Sequence, residues 1–313
     1  MQVHTDFRVA LGDTFKQLAT ENENLIFVTA DVGKSVNAVN FRDVFGKRFI
    51  NVGISEQDAV GISAGFAIVG FDVIFYDYAI FAAGRAWEII RNYICYPKLN
   101  VKIIASHGGL NVGEDGATHQ ALEDIAIMRA LPNMTVLVVD DPSQVLDAVK
   151  AAFSIKGPVY VRTGRMNLGN SEHHVKWEIG KSEKLREGND GTIIATGLMV
   201  RRALEAANSL STMGIECGVI NMRSIKPADR VAVLNASEDT GFIITAEEHN
   251  VIGGLFSTVS EILSTSGKRA VVIPVAVNDC FGESGEGVEV MNKYGLSAQS
   301  IVRAASMARE IKK

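Results

Sequence analysis

Short apolar runs rich in β-branched residues alternate with helix-length amphipathic segments along nearly the whole chain. Clear examples of these runs are residues 25–29, 101–105, 159–161, 192–196 and 271–275. Parallel strands need a long crossover between them, and a helix usually supplies it. The alternation is therefore typical of parallel sheets covered by helices, and we predict an α/β protein with two doubly wound domains.

The length of the chain and one change in its character indicate two domains. At 313 residues the chain is long enough for two domains with substantial cores. Residues 164–191 are polar, charged and poor in periodicity, unlike the segments on either side. We predict a first domain over residues 1–165, a linker over 166–190 and a second domain over 191–313.

Composition narrows the classes of partner. The net charge is −5 and no basic run occurs, so nucleic acid is not expected as a partner. The longest apolar runs are strand-length and the first residues lack a signal-peptide core, so we expect a cytoplasmic protein with no membrane partner. The spacing of histidines and cysteines predicts neither a disulfide framework nor a metal site.

Residues 49–70 combine a short apolar run, a break at Gly53 and a helix of small residues. Ser55 is the natural N-cap of that helix, and Asp58 completes a capping-box pattern, which leaves Glu56 in the first turn. The helix dipole favours a carboxylate there. The apolar face that follows also leaves Glu56 at the edge of a dry pocket. Taken alone, the pattern favours a capping role over a catalytic one.

Polar residues collect in loops that follow four predicted strands. These loops carry Asp31 with Ser35, then Glu56, then His107 with Asp115 and His119, and finally Arg162. Doubly wound sheets bind their ligands at the carboxyl ends of their strands. We therefore expect these side chains to meet at one site.

Long segments of the chain match ordered patterns of a known protein family. NVGISEQDAVGISAGFA, FAAGRAWEIIRN and SHGGLNVGEDGATHQALEDIAIMR resemble the pyrimidine-binding domain of transketolases, and DGTIIATG, INMRSIKPAD, TAEEHNVIGGL and DCFGESG resemble the C-terminal domain. The family's N-terminal domain, whose G-D-G signature holds the metal ion and the cofactor diphosphate, has no counterpart here. The chain thus resembles the C-terminal (B) subunit of a split transketolase, with a thiamin diphosphate pyrimidine-binding fold followed by a transketolase C-terminal-like domain.

The resemblance implies a cofactor, thiamin diphosphate, and roles toward it. Glu56 matches the catalytic glutamate that hydrogen-bonds N1′ of the cofactor's aminopyrimidine. Tyr78 and Phe81 match the two aromatics that pack on this ring, although the family usually has Phe in place of Tyr78. Asp31 matches an acidic residue beside the cofactor. A partner subunit would hold most of the Mg²⁺ (or Ca²⁺) site and the diphosphate.

The resemblance also implies contacts with a sugar phosphate. The residues that match the family's phosphate donors are Arg8, Ser35, His107 and Arg162. Asp115 and His119 match positions that recognise substrate hydroxyls near the reacting carbons, and His119 is a second candidate catalytic residue. The implied reaction transfers a two-carbon ketol unit from a ketose phosphate to an aldose acceptor.

The implied assembly is a homodimer of this chain joined to two copies of an N-terminal transketolase subunit, an α2β2 heterotetramer. Two other functions stay open: the β subunit of a 2-oxo acid dehydrogenase, and a non-catalytic assembly subunit. The GEDGATHQ segment and the phosphate set argue against the dehydrogenase. Retention of Glu56 together with Asp115 and His119 argues against a non-catalytic role.

Overall fold

The computed structural model describes residues 6–36, 41–166, 168 and 176–312, whose strands form two sheets. The first sheet contains β1 Leu25–Thr29, β2 Phe49–Asn51, β3 Asp72–Tyr78, β4 Val101–Ser106, β5 Thr135–Val138, β6 Val159–Arg162 and β10 Ser224–Lys226, in the order β10-β5-β6-β4-β3-β1-β2. The second contains β7 Glu183–Arg186, β8 Gly191–Ala195, β9 Cys217–Asn221, β11 Phe242–Asn250 and β12 Val271–Val277, in the order β12-β11-β8-β9-β7. Neighbouring strands are parallel, except that the edge strands β10 and β7 run antiparallel to β5 and β9.

Helices cover both faces of each sheet. They are α1 Phe7–Glu21, α2 Arg42–Phe45, α3 Glu56–Ile68, α4 Trp87–Ile89, α5 Asp124–Arg129, α6 Val145–Phe153, α7 Met199–Thr212, α8 Arg230–Asp239, α9 Leu255–Ser266, α10 Gly287–Lys293 and α11 Ala298–Lys312. On the first sheet, α1 and α6 bury apolar residues on one face and α3 on the other. On the second sheet, α7 and α11 lie on one face, opposite α8 and α9. The predicted pair of doubly wound α/β units is therefore confirmed.

Among the helices of the described residues, none has both the length and the apolar character needed to cross a bilayer.

The two sheets are joined through shared structure. β10 comes from the second half of the chain but pairs with β5 of the first sheet. Leu110 and Leu137 of the first half belong to the same buried apolar cluster as Leu198 and Met199 of the second. Because strand pairing and apolar packing both cross between the halves, residues from both can contribute to one site.

The structure contains local elements that the sequence analysis did not predict. β7 lies inside the range predicted as a linker, part of which (167 and 169–175) is outside the described residues. Neither β7 nor β10 was predicted, because these short edge strands lack a continuous apolar run and pair antiparallel with distant segments. Two π-helical segments, Ile80–Arg85 and Ile90–Cys95, also lie on either side of α4.

Candidate active site

Four predicted site residues form one ring cluster at the carboxyl ends of β3 and β4. The rings of Tyr78 and Phe81 are stacked, with centroids 6.1 Å apart and planes at 20°. The His107 ring stacks on Tyr78 at 4.0 Å, and the His119 ring meets Phe81 edge-on at 5.3 Å. Since β3 and β4 are adjacent and in register, the loop after β4 places its histidines against the aromatic pair.

A chain of hydrogen bonds connects His107 with Ser35. Nδ1 of His107 lies 2.7 Å from Oγ of Ser106, which lies 2.7 Å from the hydroxyl of Tyr76. That hydroxyl lies 3.5 Å from Oγ of Ser35, which also donates to the carbonyl of Val32. The loops after β1 and β4 therefore meet above the intervening strand β3.

His107 is buried and neutral. Burial, together with the smaller effect of the charges of Arg165 and Arg8, lowers the pKa of His107 to about 3. The backbone of His107 has φ of 61°, an unusual value for a residue other than glycine, at the point where the chain leaves β4. A neutral imidazole can donate one hydrogen bond to a ligand but adds no positive charge.

Glu56 is the first residue of α3, and its side chain is only about one-tenth exposed. The capping-box prediction was wrong: Ser55 occupies the N-cap position, but its side chain makes no capping hydrogen bond. Nε of Arg85 lies 4.0 Å from Oε2 of Glu56. Arg85 ends the π-helical segment that also contains Phe81, so the carboxyl group lies beside the segment that carries one ring of the stacked pair.

Asp31 stabilises the turn that precedes α3. Its Oδ1 accepts a hydrogen bond from Nδ2 of Asn51 at 2.8 Å, and Oδ1 of Asn51 accepts one from the main chain of Gly53 at 2.9 Å. Asp31 and Gly53 both have positive φ, of 68° and 76°. The side chain of Asp31 is exposed at the same strand edge as Glu56. Its contacts stabilise the turn that precedes Glu56.

A second carboxyl group, that of Asp77, lies near Glu56 and was not predicted. Asp77 is fully buried on the face of β3 that packs against α3; Oδ1 accepts from the main chain of Tyr78 at 2.7 Å. Among the described residues Oδ2 has no hydrogen-bond partner. Burial raises the pKa of Asp77 to about 8; the hydrogen bond from Tyr78 opposes this rise and the nearby charge of Glu56 adds to it.

We expect stability to depend on pH through Asp77. Its pKa is about 8 in the folded protein and near 3.8 when unfolded, so in between only the folded state holds this proton. The stability that the folded protein gains by holding this proton is fully present at low pH and is lost as pH rises through 8. Asp77→Asn, which cannot ionise, should therefore gain stability relative to the wild type between pH 5 and pH 8, by roughly 1.4 kcal/mol for each pH unit. Urea unfolding at both pH values measures the difference, and an equal gap at both would contradict the buried neutral acid.

Arg8 lines a cavity of about 380 Å³ to which both halves of the chain contribute. The cavity is lined by Asp6, Arg8, Asn111, Val112, Gly113, Glu114, Arg165, Met166, Gly285, Glu286 and Gly287. Arg8 pairs with Asp6 at 2.6 Å, and Nη1 of Arg165 lies 3.6 Å from Oδ2 of Asp115. Two arginines thus line one cavity, and both are near enough to the ring cluster for their charges to act on His107.

Arg165 is a candidate that the sequence analysis missed, and Arg162 takes a different place from the one expected. Arg162 is the last residue of β6 and is buried; its Nε contacts Oδ2 of Asp124 at 2.8 Å. Its Nη2 donates to the carbonyls of Ala121 and Glu248 at 3.2 and 2.9 Å. With these partners Arg162 is held in the interior, and this geometry does not support its predicted contact with phosphate.

The position of each arginine relative to the end of β6 indicates which one is buried and which one is open to a ligand. Arg162 still belongs to β6, where side chains alternate between the two buried faces of the sheet. Arg165 follows three residues later, in the loop at the carboxyl edge where ligands bind. Position in the loop therefore favours Arg165 as the residue open to a ligand.

Comparison with known proteins gives the same family for both halves. The model of the transketolase pyrimidine-binding domain matches residues 4–171, and that of the transketolase C-terminal domain matches residues 180–301. A provisionally named transketolase C-terminal section of Methanocaldococcus jannaschii is 42% identical, covering 99% of this chain and 98% of its own. One of the subunits of the apulose-4-phosphate transketolase of Phocaeicola vulgatus is 37% identical, covering 95% and 96%.

A solved structure adds geometric support. It is described as a split gene transketolase, inactive β4 tetramer, and it superposes with a TM-score of 0.88 at 44% identity. The match covers 98% of this chain and 99% of that one. The chain belongs to the transketolase family, of which it carries the pyrimidine-binding and C-terminal domains in the arrangement of a split-gene β subunit.

Proposed function

We propose that the chain is one subunit of a thiamin diphosphate-dependent transketolase, which transfers a two-carbon ketol unit from a ketose phosphate to an aldose acceptor. The observation that carries this proposal is the placement of the buried carboxyl of Glu56 beside the π-helical segment that contains Phe81, whose ring stacks on that of Tyr78. An arginine-lined cavity lies near His107, which stacks on Tyr78. The name of the Phocaeicola relative, a transketolase that acts on a sugar phosphate, supports the same class of substrate.

The residues present fit the aminopyrimidine half of the cofactor. A flat heteroaromatic ring needs an apolar aromatic face and a hydrogen-bonding group at its edge, and Tyr78, Phe81 and Glu56 offer both. Thiamin diphosphate, when bound, supplies the electron sink needed to break a carbon–carbon bond next to a carbonyl. Glu56 would hold a proton on its carboxyl oxygen against the pyrimidine nitrogen, and Asp31 would keep the turn before α3 in place.

The other half of the cofactor requires a partner. Across the described residues, no cluster of three or more His, Cys, Asp or Glu side chains is placed to hold a metal ion. A diphosphate is commonly bound through a divalent cation with oxygen ligands. We therefore propose that an N-terminal subunit of about 270 residues, the size of one large domain, holds Mg²⁺ (or Ca²⁺) and the diphosphate.

The surface of the first domain supports a subunit contact. α3 buries Val60 and Ala64 against the sheet, yet Ile68 and Val69 at its end are exposed. Gly61 and Gly65 also face open space, so another chain could approach the α3 backbone closely. Apolar patches of this kind mark interaction sites. We propose that this face is buried in an α2β2 assembly built on a homodimer of this chain.

The remaining site residues would hold and orient the sugar. Asp115 and His119 would form hydrogen bonds with substrate hydroxyls near the reacting carbons. The ring of His119 is packed edge-on against Phe81, with centroids 5.3 Å apart. Neutral His107 and the hydroxyl of Ser35 would add donors toward the phosphate end. The cytoplasmic location and the domain ranges 1–165, 166–190 and 191–313 stay predictions from the sequence.

Arg8 and Arg165 would bind the substrate phosphate, with Arg165 in the role first expected of Arg162. Arg8→Ala or Arg165→Ala should weaken the binding of phosphorylated substrates by about 1.5–3 kcal/mol, the usual value of a charged hydrogen bond. KM values for a phosphorylated ketose and for an unphosphorylated one measure the effect. Equal losses on both substrates would show that these arginines do not recognise phosphate.

Reconstitution tests the proposed function as a whole. The chain alone should show no ketol transfer with thiamin diphosphate and Mg²⁺, whereas addition of a candidate N-terminal subunit should restore it. The solved relative described as an inactive β4 tetramer supports this expectation. Because a ligand that bridges two subunits stabilises only the joined state, the cofactor should also tighten the complex in sedimentation. Ketol transfer by the isolated chain would refute the split-subunit proposal.

A further inference from the structure

A buried carboxylate of the second sheet contacts the loop that carries the candidate substrate residues. Glu248 lies on β11 and is 2% exposed. Its Oε1 accepts a hydrogen bond from the main-chain nitrogen of Asn111 at 2.6 Å, and Nδ2 of Asn111 lies 3.0 Å from both carboxylate oxygens. These contacts tie β11 to the loop that follows β4.

Gly109 makes room for this contact. Its φ is +96°, a conformation that residues with a side chain rarely adopt. A Cβ atom at this position would lie 2.3 Å from Cδ of Glu248. Any side chain at residue 109 would therefore displace either the carboxylate or the loop.

Asn111 extends the contact to the cavity. Its Oδ1 accepts hydrogen bonds from the main-chain nitrogens of Arg165 at 2.7 Å and Met166 at 3.1 Å. Its Nδ2 also donates to the carbonyl of Gly108 at 2.7 Å. With both ends of the amide engaged, the side chain of Asn111 has one orientation. A continuous path of hydrogen bonds thus runs from Glu248 to the backbone of Arg165.

We propose that Glu248 is a positioning residue for the phosphate of the substrate, acting through Asn111 on Arg165. Glu248 itself does not line the cavity, but it holds the backbone from which Arg165 reaches into it. A cavity whose arginine is already in place loses less conformational freedom on binding, which favours affinity. This inference rests on the proposed function, in which the cavity receives phosphate.

Titration of the full-length chain with inorganic phosphate tests the proposal. Glu248→Ala and Asn111→Ala should each weaken phosphate affinity about tenfold, equivalent to about 1.4 kcal/mol, at constant ionic strength. The double variant should lose no more than the larger single loss, because both residues act through one bridge. Losses that simply add would show independent effects and would overturn the proposed path.

Two further variants separate positioning from loosened packing between the sheets. Glu261→Gln weakens a different contact between the two halves of the chain, with Arg129 at 3.0 Å, and should leave phosphate affinity unchanged. Glu248→Gln keeps one oxygen to accept from the main chain of Asn111 and should recover part of the affinity. If Glu261→Gln weakened phosphate as much as Glu248→Ala, a general loosening would be the cause and the positioning role would fail.

Arg165→Ala separates failure of this inference from failure of the proposed function. Loss of phosphate binding in Arg165→Ala with normal binding in Glu248→Ala and Asn111→Ala would overturn the positioning role and leave the phosphate cavity intact. Unchanged binding in all three variants would show that phosphate does not use this cavity, which would overturn both. In the reconstituted enzyme, Glu248→Ala should raise KM for a phosphorylated ketose and leave kcat close to wild type.

Discussion

Glu56→Gln should lower the turnover of the reconstituted enzyme by about 10²–10⁴, the usual scale for losing a positioned acid–base group. Glutamine keeps the size of the side chain and a hydrogen-bond donor, but it cannot take up or release a proton. The isolated variant should unfold close to the wild-type temperature, because the ionic contact of Glu56 is a 4.0 Å approach to an exposed arginine. Steady-state kinetics and thermal unfolding measure the two effects.

Asp58 provides a matched control for this experiment. It lies in the same first turn of α3 but its side chain is exposed. Asp58→Asn removes the same charge near the same helix dipole, and we expect it to retain most of the turnover. Near-normal turnover in Glu56→Gln would exclude a catalytic carboxyl, and an equal loss in Asp58→Asn would point to a general effect of charge at the helix terminus.

The parallel strands could be predicted because burial on both faces demands continuous apolar runs. β1, for example, is Leu25–Thr29, the same range that the sequence pattern indicates, and all of it is buried. β7 and β10 carry no such run. Their pairing is set by partners far along the chain, β9 and β5, and local sequence has no signal for that. For the same reason the shared first sheet, with a strand from each half of the chain, could not be foreseen.

The sequence indicated which loops would form the site. It did not indicate the direction in which each side chain would point. His107 and His119 were expected at one strand edge, Tyr78 and Phe81 were implied by the family resemblance, and the four rings are in contact. Arg162 was expected in a loop at the same edge, and the family resemblance assigned it a contact with phosphate. Whether a residue at the end of a strand turns inward depends on register and on interior partners such as Asp124, which a linear pattern does not reveal.

Buried charge was the feature hardest to predict. Asp77 and Glu248 stand in strand segments where a charged residue ordinarily indicates exposure, yet both are buried. Glu248 is stabilised by donors from Asn111, a residue 137 positions earlier in the chain. Only the packed structure brings these donors and acceptors together, so the sequence could not distinguish interior carboxylates from solvated ones.

The second large effect is expected at Arg162, where we predict a loss of stability and no direct effect on phosphate recognition. Arg162→Met should lower the free energy of unfolding by about 3–5 kcal/mol, because it leaves Asp124 as an uncompensated buried charge. Tyr160 also donates to Oδ2 of Asp124, at 2.8 Å, so the carboxylate cannot simply move to solvent. Arg165→Ala, by contrast, removes a partly exposed side chain and should change stability by less than about 1 kcal/mol. Urea unfolding of both variants gives the comparison.

A double variant shows whether the loss at Arg162 is electrostatic. Arg162→Met combined with Asp124→Asn removes both charges and still offers Tyr160 an acceptor, so it should recover part of the lost stability. If the double variant did not recover stability, the loss would be due to packing of Arg162 against Gly108. The two residues are so close that a Cβ atom added at residue 108 would lie 2.5 Å from Nε of Arg162. The opposite result would reverse the assignment of the two arginines. If Arg162→Met kept wild-type stability and weakened phosphate binding as much as Arg165→Ala, Arg162 would have to turn toward the cavity during binding and would be the phosphate contact first expected.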